Sequence, residues 1–293
     1  MSPWVDDRAI EIDGLSWAVR QSGAPDGRPL VYFHGTPSSR LETAFADDTA
    51  AALGVRLVSF DRPGYGGSAF APFSLASVAV DTGRIADVLG IDRFATTGQS
   101  GGGPFSLACG AVLGERVTRV GVTSGAGPFD RVPELMAALD DNDTAAVALL
   151  PDAEEAAQQF AVGFEPFREL ASADDATIVA GFRQMCSSRD GRLLDDPQVA
   201  SAIAAGLRAS LVQGCEGAGW DNVAWVGPWD VELDDVRRPV HLWYGDDDPF
   251  CPAVVGPWLA QHLPDATLVL REGEGHLGVV EHREEVLTTL TSD

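Results

Sequence analysis

The sequence predicts an α/β fold: a mostly parallel central sheet flanked by helices, with a helical cap inserted into it. Three observations predict it. Short β-like runs alternate with helical stretches through the first half of the chain. Four of those runs end in glycine-containing loops. The alternation stops near residue 127 and resumes near residue 237. Strand, loop, helix, strand is the pattern of a parallel sheet with crossover helices, in which ligands sit at the C-terminal strand ends.

The elements follow in order. Residues 15–19 read as an opening strand on an antiparallel edge. Residues 30–33 are apolar and end at His34-Gly35, and 56–60 end at Asp61-Arg62-Pro63-Gly64. Residues 94–97 end at Gly98, and 117–122 end at Ser124-Gly125. Helical stretches at 41–53, 75–89 and 104–113 lie between them. From 129 to about 236 no buried strand is evident. Helix formers with acidic punctuation occupy 133–139, 144–150, 154–160, 176–186 and 199–215, followed by Trp220, Trp225 and Trp229. Strands are again expected at 239–244 and 267–270, with helices at 254–263 and 281–290. The expected organisation is therefore a core of residues 1–127 and 237–293, with a helical cap at 128–236 that closes over the strand ends. No internal repeat or low-complexity segment interrupts it.

Composition narrows the function. The chain has 293 residues and a net charge of −24, from 44 acidic and 20 basic side chains. Such a surface repels phosphate backbones and anionic headgroups, so nucleic acid and membrane are not expected partners. A small-molecule substrate is expected, and oligomeric state leaves no signature. Every basic residue is arginine, which excludes Schiff-base or lysine-base chemistry within the chain. Cys109, Cys186, Cys215 and Cys251 have no C-x-x-C spacing, so neither a zinc site nor a redox pair is expected. The acidic first residues lack a basic-then-apolar leader, and no apolar run approaches membrane-spanning length. The expectation is a cytoplasmic protein with no metal and no organic cofactor.

The chemistry centres on Gly98-Gln99-Ser100-Gly101-Gly102, a G-x-S-x-G run between a strand and an apolar helix. A nucleophilic serine on a tight strand-to-helix turn needs very small neighbours two residues away, and the following helix directs its positive end at the site. A phosphate-binding loop does not fit. The P-loop pattern requires a lysine, and a G-x-G-x-x-G read from Gly101 would need glycine where Ser106 stands.

Serine needs a general base. Of five histidines, His276 lies in Gly275-His276-Leu277, between the last expected strand and the last helix, where the base stands in the chain order Ser, Asp, His. His241 falls inside a strand, and His262 and His282 are expected on the surface. Three aspartates compete in Gly245-Asp246-Asp247-Asp248-Pro249 to orient the imidazole. Asp248 is chosen, because its 28-residue spacing from His276 accommodates one helix, one strand and two loops. Asp130, just past the preceding strand, is the rival. The oxyanion hole is expected from the N–H groups of Gly101 and Thr36; Pro37 has none to offer. His34 shapes the same loop and, with Trp220, Trp225 and Trp229, is a candidate for the substrate pocket. Cap-to-core packing is the competing role for the tryptophans.

Together, His34-Gly35-Thr36-Pro37, Asp61-Arg62-Pro63-Gly64-Tyr65-Gly66, the Ser100 turn, Gly245-x-x-Asp248 and Gly275-His276 resemble the α/β-hydrolase superfamily, in its serine-nucleophile branch with a helical cap. The resemblance spans residues 15–290. It implies acyl transfer to water through an acyl-enzyme on Ser100, with Asp248 and His276 completing a triad. Serine stands where epoxide hydrolases and haloalkane dehalogenases carry aspartate. Gly101 stands where proline iminopeptidases place tryptophan and many esterases methionine. A carboxylic-ester hydrolase for a small to medium apolar substrate is the leading expectation. A peptidase or amide hydrolase like proline iminopeptidase, a ligand-binding protein without turnover, and a cofactor-free perhydrolase are the alternatives. Ester, thioester, lactone, amide and carbon–carbon substrates all remain open.

Overall fold

The structure is a computed structural model and describes residues 4–292. Its first two strands, β1 (Trp4–Ile12) and β2 (Leu15–Gly23), form a hairpin. The turn is Asp13-Gly14, with φ of 51° and 82°. Positive φ at both central residues gives the tight turn whose twist matches that of its strands. The sheet thus begins one strand earlier than the sequence suggests. β1 carries Asp6, Asp7, Arg8 and Glu11 and buries only Ile10 and Ile12, so its apolar signal is weak. Charge on an edge strand also discourages pairing with other chains.

β3 (Arg28–Phe33), β4 (Val55–Phe60), β5 (Phe94–Gln99), β6 (Val117–Thr123), β7 (Val240–Gly245) and β8 (Ala266–Arg271) complete one eight-stranded sheet. Its order is β1-β2-β4-β3-β5-β6-β7-β8. The β1–β2 and β2–β4 pairs are antiparallel, and the other five are parallel. Every residue of β5 is buried, as expected of a central strand covered on both faces.

Helices α1 (Asp47–Leu53), α2 (Leu75–Val88) and α3 (Gly103–Val112) follow β3, β4 and β5. The stretch at 40–46 is a 3₁₀ turn that leads into α1. Between β6 and β7 lie α4 (Pro133–Ala137), α5 (Asp141–Val147), α6 (Ala153–Gly163), α7 (Glu165–Ala171), α8 (Asp175–Met185), α9 (Ser188–Leu193), α10 (Pro197–Ser210) and α11 (Glu216–Trp225), with no strand among the described residues. The tryptophan-rich stretch is thus partly helical. The chain returns through α12 (Val255–His262), α13 (Gly278–Glu281) and α14 (Arg283–Thr291).

Two apolar layers cover the sheet. On one face Val31, Phe33, Val58 and Phe60 pack with Leu75, Val78 and Ile85 of α2, Phe105 of α3, Leu259 of α12 and Phe160 of the insertion. On the other, Leu30 and Leu57 pack with Ala50 of α1 and Leu287 and Leu290 of α14. Each fully buried Leu, Ile or Phe side chain contributes roughly 1.5–3 kcal/mol, so these layers hold the strand ends rigidly. No helix among the described residues is long and apolar enough to cross a membrane.

Candidate active site

The turn after β5 carries Ser100 at φ 55°, in the left-handed region that costs a side chain energy. Glycine makes the turn possible. A Cβ on Gly98 would lie 2.1 Å from the Gly102 carbonyl oxygen, and one on Gly102 would lie 2.3 Å from that of Phe33. Ser100 itself is half-buried, and α3 begins three residues later.

Asp248 and His276 meet. His276 Nδ1 lies 2.8 Å from Asp248 Oδ2. The other carboxylate oxygen, Asp248 Oδ1, accepts the N–H groups of Phe250 at 2.8 Å and Cys251 at 3.0 Å, which set its orientation. Both side chains are almost wholly enclosed. Gln99 Nε2 donates to the His276 carbonyl at 2.7 Å, joining the serine turn to the histidine loop. Asp130, the rival acid, is exposed on the loop after β6. Asp246 and Asp247 are exposed too.

The loop after β3 lies against the same turn. Points at which side chains on Gly35 and Gly101 would begin are 3.6 Å from Ser100 Cβ and 2.4 Å from Thr36 Oγ1, respectively. Two residues with no role expected from the sequence, Glu42 and Arg62 of the Asp61–Gly66 motif, hold this loop. Glu42 accepts the Tyr32 hydroxyl at 2.6 Å and the Gly35 N–H at 3.3 Å. Burial raises its carboxyl, against hydrogen bonds from Ser38, Tyr32 and Gly35. Arg62 donates to the His34 carbonyl at 2.7 Å and to Thr36 Oγ1 at 3.1 Å.

The insertion reaches both loops. Asp221 of α11 takes Arg62 Nε at 2.7 Å and Nη2 at 2.5 Å, and the hydroxyls of Thr36 at 2.7 Å and Tyr65 at 2.8 Å. Arg62 and Asp221 are both fully buried. Asp190 of α9 accepts the N–H of His276 at 2.7 Å and of Leu277 at 3.1 Å. No local pattern marks either aspartate among 44 acidic residues.

Comparison with known proteins identifies the family of the fold. The family model of the alpha/beta hydrolase fold matches residues 28–283. The chain belongs to the alpha/beta hydrolase family. It is 26% identical over 268 residues to a pimeloyl-[acyl-carrier protein] methyl ester esterase of Nitrosomonas europaea, covering 90% of this chain and 94% of that one. A protein of the same name from Aromatoleum aromaticum is 42% identical over 57 residues, only 20% of this chain and 23% of that one. The enol-lactonase of Burkholderia xenovorans superposes with a TM-score of 0.69 over 96% of this chain and 97% of that one; at 18% identity this speaks to the fold alone.

Within this alpha/beta hydrolase the four pocket candidates separate. His34 is fully buried, with Nδ1 2.8 Å from the Gly35 carbonyl oxygen and Nε2 accepting the Arg62 N–H at 3.4 Å. Burial, then the charge of Arg62, pushes its pKa well below the ordinary histidine value, so it is a neutral part of the loop frame. Trp229 is buried, and its indole N–H donates to the Trp225 carbonyl at 2.9 Å. Trp220 is half-buried against the main apolar layer. Trp225 differs: its ring packs on Phe129 with centroids 5.6 Å apart, and its Nε1 lies 3.3 Å from where a side chain on Gly101 would begin.

Among the described residues, one cluster has donor atoms close enough to hold a cation: Glu274, Glu281 and His282. Arg189 already pairs with both glutamates, at 3.0 and 2.8 Å, and His282 bonds Glu274 at 2.9 Å. His282, expected on the surface, is thus half-buried in an ion-pair network behind the histidine loop.

Proposed function

We propose that this protein is a serine hydrolase that cleaves carboxylic esters of small to medium apolar substrates through an acyl-enzyme. The observation that carries the reading is the 2.8 Å bond between Asp248 and His276 in a site whose serine sits on a left-handed strand-to-helix turn. With Nδ1 engaged by Asp248, His276 presents Nε2 as the base. Ser100 Oγ attacks the ester carbonyl carbon while His276 takes its proton, and Asp248 stabilises the imidazolium. The developing oxyanion accepts the N–H groups of Gly101 and Thr36. His276 then protonates the departing alcohol, and it later activates the water that releases the acid. Support for an ester over an amide comes from the esterase name of the full-length relative.

A fluorophosphonate probe tests the reading. Labelling is expected at Ser100, and Ser100→Ala is expected to lose both labelling and aryl-ester turnover. Ester turnover that persists in Ser100→Ala refutes the nucleophile. Cleavage of aminoacyl amides in preference to aryl esters refutes the substrate class.

A further inference from the structure

The indole N–H of Trp225 is buried and has no hydrogen-bond partner. An unpaired buried donor costs about 1–3 kcal/mol, so its location needs a reason. It lies beside Gly101, whose amide is proposed to face the oxyanion. The residue after the serine has no side chain here, and Thr36 and the indole edge fill the notch. Of those two polar groups, the Thr36 hydroxyl donates to Asp221. The indole N–H is the free one. Its position is held from three sides: by Phe129 against the ring, by the Trp229 N–H on the Trp225 carbonyl, and by Asp221 four residues earlier on α11, tied to Arg62.

We propose that Trp225 is a catalytic residue whose indole N–H is a third donor to the substrate carbonyl oxygen, beside the Gly101 and Thr36 amides. The proposal rests on the serine-hydrolase reading above. As the bond from Ser100 Oγ to the carbonyl carbon forms, the C=O π pair moves onto oxygen and the serine proton moves to His276. The indole keeps its proton and its hydrogen bond shortens as charge builds. The indole nitrogen is closed to solvent, so the carbonyl oxygen reaches it as the substrate opens the notch at Gly101, and the hydrogen bond acts on the transition state more than on bound substrate.

Two replacements test it. Trp225→Phe keeps an aromatic ring against Phe129 without the N–H. Substituting 3-benzothienylalanine at 225 keeps the bicyclic shape and puts sulfur in place of the N–H. Both are expected to lower kcat on aryl esters on the order of 100-fold with KM nearly unchanged, the size seen when one oxyanion donor is lost. Both are also expected to slow phosphonylation of Ser100 by a fluorophosphonate in proportion. Wild-type rates in the benzothienyl protein, or a rise in KM alone, would overturn the proposal and leave Trp225 a packing residue. Phosphonylation separates this proposal from the ester reading. Labelling that depends on Trp225 in a protein that cleaves no ester supports the third donor and overturns the ester. A wild-type protein that is not labelled at Ser100 overturns both.

Discussion

Two buried aspartates of the insertion grip the two loops beside Ser100, and they are built in opposite ways. Asp221 holds the loop after β3 through an ion pair: a bidentate arginine and two hydroxyls converge on it. Asp190 holds the histidine loop through two backbone amides, with no arginine on its carboxylate. Burial pushes the Asp190 carboxyl up, against the amide hydrogen bonds and the charge of His276. The difference teaches what each contact can lose. Removing one member of a buried ion pair strands a full charge in a medium that cannot solvate it. Removing a carboxylate from two amides strands only hydrogen-bond donors. In both cases the insertion is part of the frame of the site.

The comparison breaks most sharply at Asp221. Asp221→Ala is expected to destabilise the fold by about 3–5 kcal/mol in urea denaturation, because Arg62 stays buried without a counterion. Arg62→Met with Asp221→Leu should recover most of that stability. Ester turnover should stay low, since the Thr36 hydroxyl has lost its acceptor. Recovery of turnover as well would reduce the pair to a structural role. Asp190→Ala is expected to cost less, about 1–3 kcal/mol, and to lower kcat more than it raises KM as the His276 loop loosens. Asp190→Asn keeps one acceptor and should fall between that variant and wild type.

The smallest expected effect is in the pH dependence of stability, where Asp190 and His34 should pull in opposite directions. The fold lowers the His34 pKa below its ordinary 6.5. As pH falls below that value the unfolded chain binds the proton first. The contribution of His34 is therefore whole above 6.5 and lost on acidification. The Asp190 carboxyl is raised in the fold, so its contribution is whole in acid, below the ordinary aspartate value of 3.8, and is lost as pH rises through its elevated range. Chemical denaturation across this pH range should show a shallower acid loss in His34→Asn and a steeper one in Asp190→Asn. Parallel profiles for the two variants would remove the contrast.

Local signals made much of the core legible. The glycine run around Ser100 reports a turn in which Gly98 and Gly102 meet neighbouring carbonyls, and any larger residue there would collide. The order of Asp248 and His276 after it follows from parallel strands delivering their loops to one edge. The hairpin turn at Asp13-Gly14 and the edge strand before it were missed, because a charged edge strand shows too little apolar alternation to be recognised. Within the insertion, periodicity indicated helices at most of the right places. It could not separate Trp225 from Trp229, which are alike in type and four residues apart, although one indole N–H is spent on the other residue's carbonyl.

The sequence by itself determined seven of the eight strands, the turn that carries Ser100 and the loops that carry Asp248 and His276, because each depends on short-range chemistry: backbone sterics, turn residues and apolar periodicity. Only the tertiary structure decided that Asp221 would meet Arg62 across 159 residues and that Asp190 would meet His276 across 86. It alone left the Trp225 indole unpaired beside Gly101. The reason is physical. An aspartate on a helix reads as solvated until packing removes the water around it, and what replaces that water comes from elsewhere in the chain.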